Sequence, residues 1–93
     1  MDKLEPETIV SQAANVISRE IDGHLVLLTA SSGTVHELDE VGSYIWSLCA
    51  TPVSIASMTE KVVAEYDVKK NEAEEDLASF IAELIELGAV NRQ

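Results

Sequence analysis

Basic residues are scarce in this chain. Lys and Arg together number six against seventeen Asp and Glu, for a formal net charge of −11. The six (Lys3, Arg19, Lys61, Lys69, Lys70 and Arg92) are scattered over the whole length, so they do not build the multi-phosphate contact surface that sustains nucleic-acid affinity. The field repels nucleic acid and favours encounter with a partner carrying exposed Lys or Arg, mostly as an effect on association rate. Solubility alone would explain most of the same charge. Cysteine is nearly absent too: Cys49 has no second thiol to pair with and sits among apolar neighbours, where a buried thiol behaves as a small hydrophobe. Long apolar runs are missing, which argues against a membrane span. The mixed-charge start Met1-Asp2-Lys3-Leu4-Glu5 is no secretory signal, so a soluble cytoplasmic protein is expected.

Recognisable chemistry is equally thin. No GxGxxG and no phosphate loop occurs, so nucleotide binding has no support. His24, His36 and Cys49 are spaced 12 and 13 residues apart on three different elements, which matches no compact zinc pattern and lacks a fourth ligand. His24 follows a turn and reads as solvated; His36 beside Glu37 reads as a surface polar pair before it reads as a general base. The carboxylates fall on helix faces and form no visible dyad. No cofactor, no metal and no catalytic set is therefore expected, and an isolated enzyme ranks last among the functional readings.

What is present is a change of period. Val16 to Ile21 and His24 to Thr29 are rich in Val, Ile and Leu and flank Asp22-Gly23, the signature of a two-residue hairpin turn with positive φ at both positions. A second turn at Ser31-Ser32-Gly33 leads into Thr34 to Leu38, giving a three-stranded meander. Leu25-Val26-Leu27-Leu28 does not alternate, which points to a middle strand covered on both faces. The N-terminal segment with Leu4, Ile9 and Val10 is one candidate cover, and a second copy of the chain, in a homodimer, is the other.

From Asp39 onward the period is helical. Asp39 is placed to cap a helix bearing the stripe Val41, Ile45 and Leu48, with Leu38 as a staple residue and Tyr44 and Trp46 widening the buried face. Gly42 inside that first turn costs about 1 kcal/mol relative to Ala, which makes sense if another element packs closely there. Thr51-Pro52 closes the helix. Ser54 caps a second one carrying Ile55, Met58, Val62 and Tyr66. The third is the longest, with Ala73, Leu77, Phe80, Ile81, Leu84 and Leu87 on one face and Gly88 as its stop. It starts at Lys69, at Lys70, or at an Asn71/Glu74 capping box, and Glu72, Glu74, Glu75 and Asp76 crowd its first turns, where the helix dipole stabilises acids. Ninety-three residues make one small domain: an N-terminal segment over 1–15, then an α+β domain over 16–91. Its order is β-β-β-α-α-α, with a short extended tail at Ala89 to Asn91.

Taken in order, "GTVHELDEVGSYIWSL", "VSIASMTEKVVAEYDV" and "EAEEDLASFIAELIELG" resemble the PqqD-like family, small proteins also described as RiPP recognition elements, over residues 16 to 90. The features that match are the Leu38-Asp39 junction, Gly42, Ile45-Trp46, the Ser54 helix ending at Tyr66-Asp67-Val68, and Asp76-Leu77 with Phe80. The resemblance implies a winged-helix-like fold that binds the N-terminal leader of a ribosomally made precursor peptide and presents it to a modifying enzyme, often a radical SAM protein. It further implies that the leader adds as a strand beside the third strand (Thr34, Val35, His36, Glu37 and Leu38), in a groove completed by the third helix near Ala73, Asp76, Leu77 and Phe80. Members in coenzyme PQQ synthesis tend to carry a Trp after the last helix's glycine, where this chain has Ala89-Val90, so another peptide-modifying pathway stands beside that one. The residues support the same mode by themselves. Thr34 to Leu38 is an edge strand with no Pro and little charge, and its backbone is free to accept another strand. Two alternatives are a winged-helix DNA binder, which the charge opposes, and a structural module that self-associates through the apolar middle strand.

Overall fold

The fold is that of a computed structural model, which describes residues 4–30 and 33–93. The meander forms as expected. After a first strand β1 (Ile9–Gln12), the strands β2 (Val16–Ile21) and β3 (His24–Thr29) pair antiparallel from Val16↔Thr29 to Ile21↔His24. Asp22 and Gly23 close them at φ 51° and 82°, values that suit the right-handed twist of the strands. Strand β4 (Thr34–Leu38) pairs with β3 from Leu25↔Leu38 to Thr29↔Thr34. Of the second expected turn, Ser31 and Ser32 lie outside the described residues; Gly33 has φ 67° and its N–H donates to the Thr29 carbonyl at 2.8 Å.

The register separates the two faces of this sheet. Leu25, Leu27, His36 and Leu38 share the face turned to the helices, with Leu27 and Leu38 in the core. Val26, Leu28, Val35 and Ile17 share the other. That second face is not covered as the non-alternating run suggests: Ile17, Ile21 and Val35 are 50%, 53% and 61% exposed. Val26 and Leu28 are half-buried on the central strand, between neighbours on both sides.

The helix α1 (Glu40–Leu48), the short strand β5 (Val53–Ser54), the helices α2 (Ile55–Tyr66) and α3 (Lys70–Glu86) and a last strand β6 (Val90–Arg92) follow in order. Asp39 Oδ1 accepts the Gly42 N–H at 2.7 Å and Ser54 Oγ accepts that of Ser57 at 3.1 Å, each satisfying a donor that the helix itself leaves free. At α3 the capping box does not form. Lys69 is the cap residue, with no side-chain bond, and Asn71 lies within the helix, where Glu72 in the first turn suits the positive end of the dipole. The far end closes on Gly88 at φ 82°, where Gly88 N–H donates to Ile85 and Ala89 N–H to Leu84, the paired bonds of a Schellman motif.

The main addition to the expected architecture is a second sheet of order β5-β1-β6. Here the N-terminal segment finds its place, away from the exposed face of the meander. Val10 faces Val53 on one side and Arg92 on the other, and Val10, Val90 and Leu4 enter the core. The Gln12 side chain donates to the Trp46 carbonyl at 2.8 Å, tying β1 to α1. The α+β class and the meander followed by three helices stand, while strands of four and two residues, paired across most of the chain, add a base beneath the helices. Ile55, Met58, Ile81 and Cys49 are fully enclosed at the centre. No helix among the described residues is long and apolar enough to cross a membrane.

Candidate peptide-docking site

β4 is the edge of its sheet, bonded to β3 on one side only. Alternate residues of an edge strand direct N–H and C=O outward. Three local features decide what lies next to that edge. The Asp39 cap starts α1 immediately after Leu38, so chain direction changes at the end of β4. Gly42 then lets α3 approach: a Cβ there would stand 3.2 Å from Phe80 Cζ and 3.1 Å from Asp39 Oδ1. α3 completes the wall, because Ala73, Leu77, Phe80, Leu84 and Leu87 recur on one face at helical spacing.

Between β4 and α3 runs an open groove in two parts. The larger cavity, larger in the length of its lining since its volume is about 520 Å³, meets Leu38, Val41, Ile45 and Val62 on one side and Ala73, Leu77 and Phe80 on the other. A second, also about 520 Å³, lies between His36 to Leu38 and the stretch of α3 from Phe80 to Leu87. Glu37, Leu38 and Phe80 border both, so the Phe80 ring stands at the division. β4 therefore runs antiparallel along α3, with Leu38 beside its first half and His36 beside its second. At the mouth of the larger cavity Tyr66 meets Tyr44 edge to face, centroids 5.6 Å apart at 73°. The Tyr66 phenol is held above its ordinary pKa by desolvation first, then by the carboxylates of Glu40 and Glu65. It stays a neutral donor at the edge of the groove.

Of the residues singled out from sequence, Glu37, Leu38, Ala73, Asp76, Leu77 and Phe80 line the larger cavity and His36 lines the smaller one. Val35 lies on β4 but turns to the exposed sheet face, and Thr34 contributes its position at the start of the strand. Sequence reasoning passed over Val41, Tyr66, Val68 and Glu72 in the larger cavity and Glu83 and Glu86 in the smaller. A signal existed for some of them. Glu72, Asp76, Phe80 and Glu83 succeed one another at helical spacing and must share an edge of α3, whereas Val68 sits in a loop and carries no period. Cys49 lies apart from the groove, fully enclosed, its Sγ 3.7 Å from Met58 Sδ. Burial pushes that thiol from an ordinary 9.0 up to about 11, which removes it from thiolate chemistry near neutral pH. Among the described residues no group of three His, Cys, Asp or Glu side chains is arranged to hold a metal ion.

A free strand edge facing a helix across an apolar groove defines a class of binding module, one that admits an extended peptide as a further strand. The chain belongs to the family of coenzyme PQQ synthesis protein D (PqqD), whose model matches residues 24–90. Among solved structures it is similar to TbiB1 in complex with the TbiA(beta) leader peptide, at 33% identity and a TM-score of 0.79, covering 87% of this chain and 94% of that one. It is also similar in fold to a lasso peptide synthetase B1 complexed with the leader peptide, at 24% identity and a TM-score of 0.78, covering 88% and 96%. Comparison with curated proteins gives no match.

Proposed function

We propose that this protein is a non-catalytic adaptor. It binds the leader of a ribosomally made precursor peptide by strand addition at Thr34 to Leu38 and presents it to a modifying enzyme, a radical SAM protein or another, in the synthesis of a peptide-derived cofactor or natural product. The observation that carries this reading is the free edge of β4 lying along α3 over an apolar groove. Membership of the PqqD family and the leader peptides in both similar structures support it. Ala73, Asp76, Leu77 and Phe80 form the helix side of the groove.

The energetics fit a reversible adaptor. Each backbone hydrogen bond along the edge contributes about 1 kcal/mol net, while ordering a disordered leader costs about 2–5 kcal/mol, so the ladder alone comes close to cancelling. Burying one large apolar side chain adds about 1.5–3 kcal/mol, and two or three seated against Leu38, Leu77 and Phe80 bring the sum towards about −8 kcal/mol, a micromolar complex. The edge thus sets the direction and pairing of the added strand, while the net holding force and the selection come from the groove. Isothermal titration with the leader of a precursor encoded beside this gene tests the mode. Micromolar binding is expected, falling at least about tenfold, or about 1.4 kcal/mol, in Glu37→Pro with an unchanged circular dichroism spectrum. Undiminished affinity in that folded variant would exclude strand addition at β4.

A further inference from the structure

The walls of the groove carry charge of one sign. Asp39 stands on the strand side and Glu72 and Asp76 on the helix side of the larger cavity, and Glu83 and Glu86 on the helix side of the smaller, while Glu37 borders both at the strand edge with its side chain turned outward; neither cavity is lined by Lys or Arg among the described residues. Helix stability explains only half of this. Glu72 and Asp76 lie near the start of α3, where the dipole favours acids. Glu83 and Glu86 lie in its last turn, which holds no basic residue, and acids at that end oppose the dipole. A second feature points the same way. The Nε2 of His36, in the smaller cavity with Glu83 and Glu86, is enclosed and has no hydrogen-bond partner among the described residues. An enclosed polar atom left unpaired is costly, and a docked donor recovers that free energy once the ring turns Nε2 towards the groove. An imidazole nitrogen that carries no proton is an acceptor, which an ammonium or guanidinium satisfies.

We propose that the segment docked along β4 is cationic, carrying Lys or Arg two residues before and two residues after an apolar anchor. The spacing follows from the two elements. Asp76 and Glu83 flank Phe80 along α3 and are separated by about 10 Å at the helical rise. In a strand lying along that helix, the side chains two residues either side of an anchor over Phe80 point the same way and stand about 13 Å apart, within reach of both carboxylates for side chains as long as Lys and Arg. A further basic residue on the opposite side of the strand would pair across it with Glu37, which faces outward. The partner class is thus a basic, extended peptide, and the net charge of −11 draws such a peptide towards the groove.

This inference rests on the strand-addition reading, and the test separates the two. A surface-displayed library of random nine-residue peptides is selected against the whole folded chain, and again against Glu37→Pro. The expected result is enrichment of Lys or Arg at two positions four residues apart around an apolar residue, lost with Glu37→Pro. For one selected peptide, replacing both basic residues by Gln, or the protein's Asp76 by Asn together with Glu83 by Gln, weakens binding about fivefold. That difference shrinks as salt rises from about 50 to about 300 mM. Peptides that enrich without basic residues, or a Gln replacement changing affinity less than about twofold, overturn the charge inference and leave strand addition standing. A library with no enriched peptide overturns both.

Discussion

Gly42→Ala separates the stability of this fold from the quality of its groove. The added methyl would stand 3.1 Å from Asp39 Oδ1, 3.2 Å from Phe80 Cζ and 3.5 Å from Leu38 Cβ, so its neighbours must yield by a few tenths of an ångström. Two effects on stability offset one another. Ala gains up to about 1 kcal/mol over Gly in a helix, while lengthening the 2.7 Å cap bond to Asp39 loses part of an interaction typically worth about 1 kcal/mol. The softer neighbour is Phe80, which is half-buried and borders both open cavities, so its ring tip moves towards the groove. Because dispersion contacts lose about a quarter to a half of their depth over a 0.5–1 Å displacement, a peptide side chain seated on that ring loses about 1 kcal/mol, or about fivefold in affinity. Thermal melts should show stability within about 1 kcal/mol of the parent, and titration with the leader should show the weakened binding. In a Phe80→Leu background the same Gly42→Ala change should cost no affinity, since the partner in the clash is gone. A loss of more than about 2 kcal/mol of stability would refute the reasoning by showing a rigid Phe80. So would an unchanged affinity, by removing Phe80 from the docking wall.

Other expectations concern the frame that holds the site. Asp39→Ala removes the α1 cap and should cost about 1 kcal/mol, seen by calorimetry as a fall in Tm of about 4–8 °C for a domain of this size. Ile81, fully enclosed, should lose about 2–5 kcal/mol on change to Ala in urea unfolding, whereas Ile17→Ser on the exposed sheet face should stay within about 0.5 kcal/mol. Comparable losses at both positions would mean that the outer face is covered in solution. Cys49 should react with a thiol reagent near pH 8 only at the rate of unfolding, and rapid labelling of the native chain would contradict its enclosure. Its folded pKa of about 11 lies above the ordinary 9.0. The protonated thiol thus contributes stability that is complete below about pH 9 and is lost as pH rises through about 11, a loss that Cys49→Ala should remove from the pH profile of unfolding.

Much of the fold is written in short-range chemistry. Asp22-Gly23 dictates a turn with two positive φ values, Asp39 and Ser54 are good caps in any context, and the apolar spacing of α3 belongs to a helix whatever it meets. These are interactions within a few residues, so the sequence by itself determined the meander, the three helices and the open edge at Thr34 to Leu38. The second sheet was another matter. β1 and β5 have four and two residues, too few to carry a period of two, and β1 is held by Val53 from the middle of the chain and by Val90 and Arg92 from its far end. The Leu25 to Leu28 run also misleads, because a central strand half-shields its outer residues with lateral neighbours and needs no covering layer to keep them apolar. The floor of the groove was legible as the stripe Ala73, Leu77 and Phe80, while Tyr66, Val68 and Val41 join it only because α1 and α2 converge on α3 there. The same holds for the acids. As letters in a sequence they give a net charge; only the packing of β4 against α3, through the gap that Gly42 leaves for Phe80, sets Asp39 across from Glu72 and Asp76 and brings Glu83 beside His36. Local preference fixes what each segment becomes, and tertiary contact fixes which side chains face the same space.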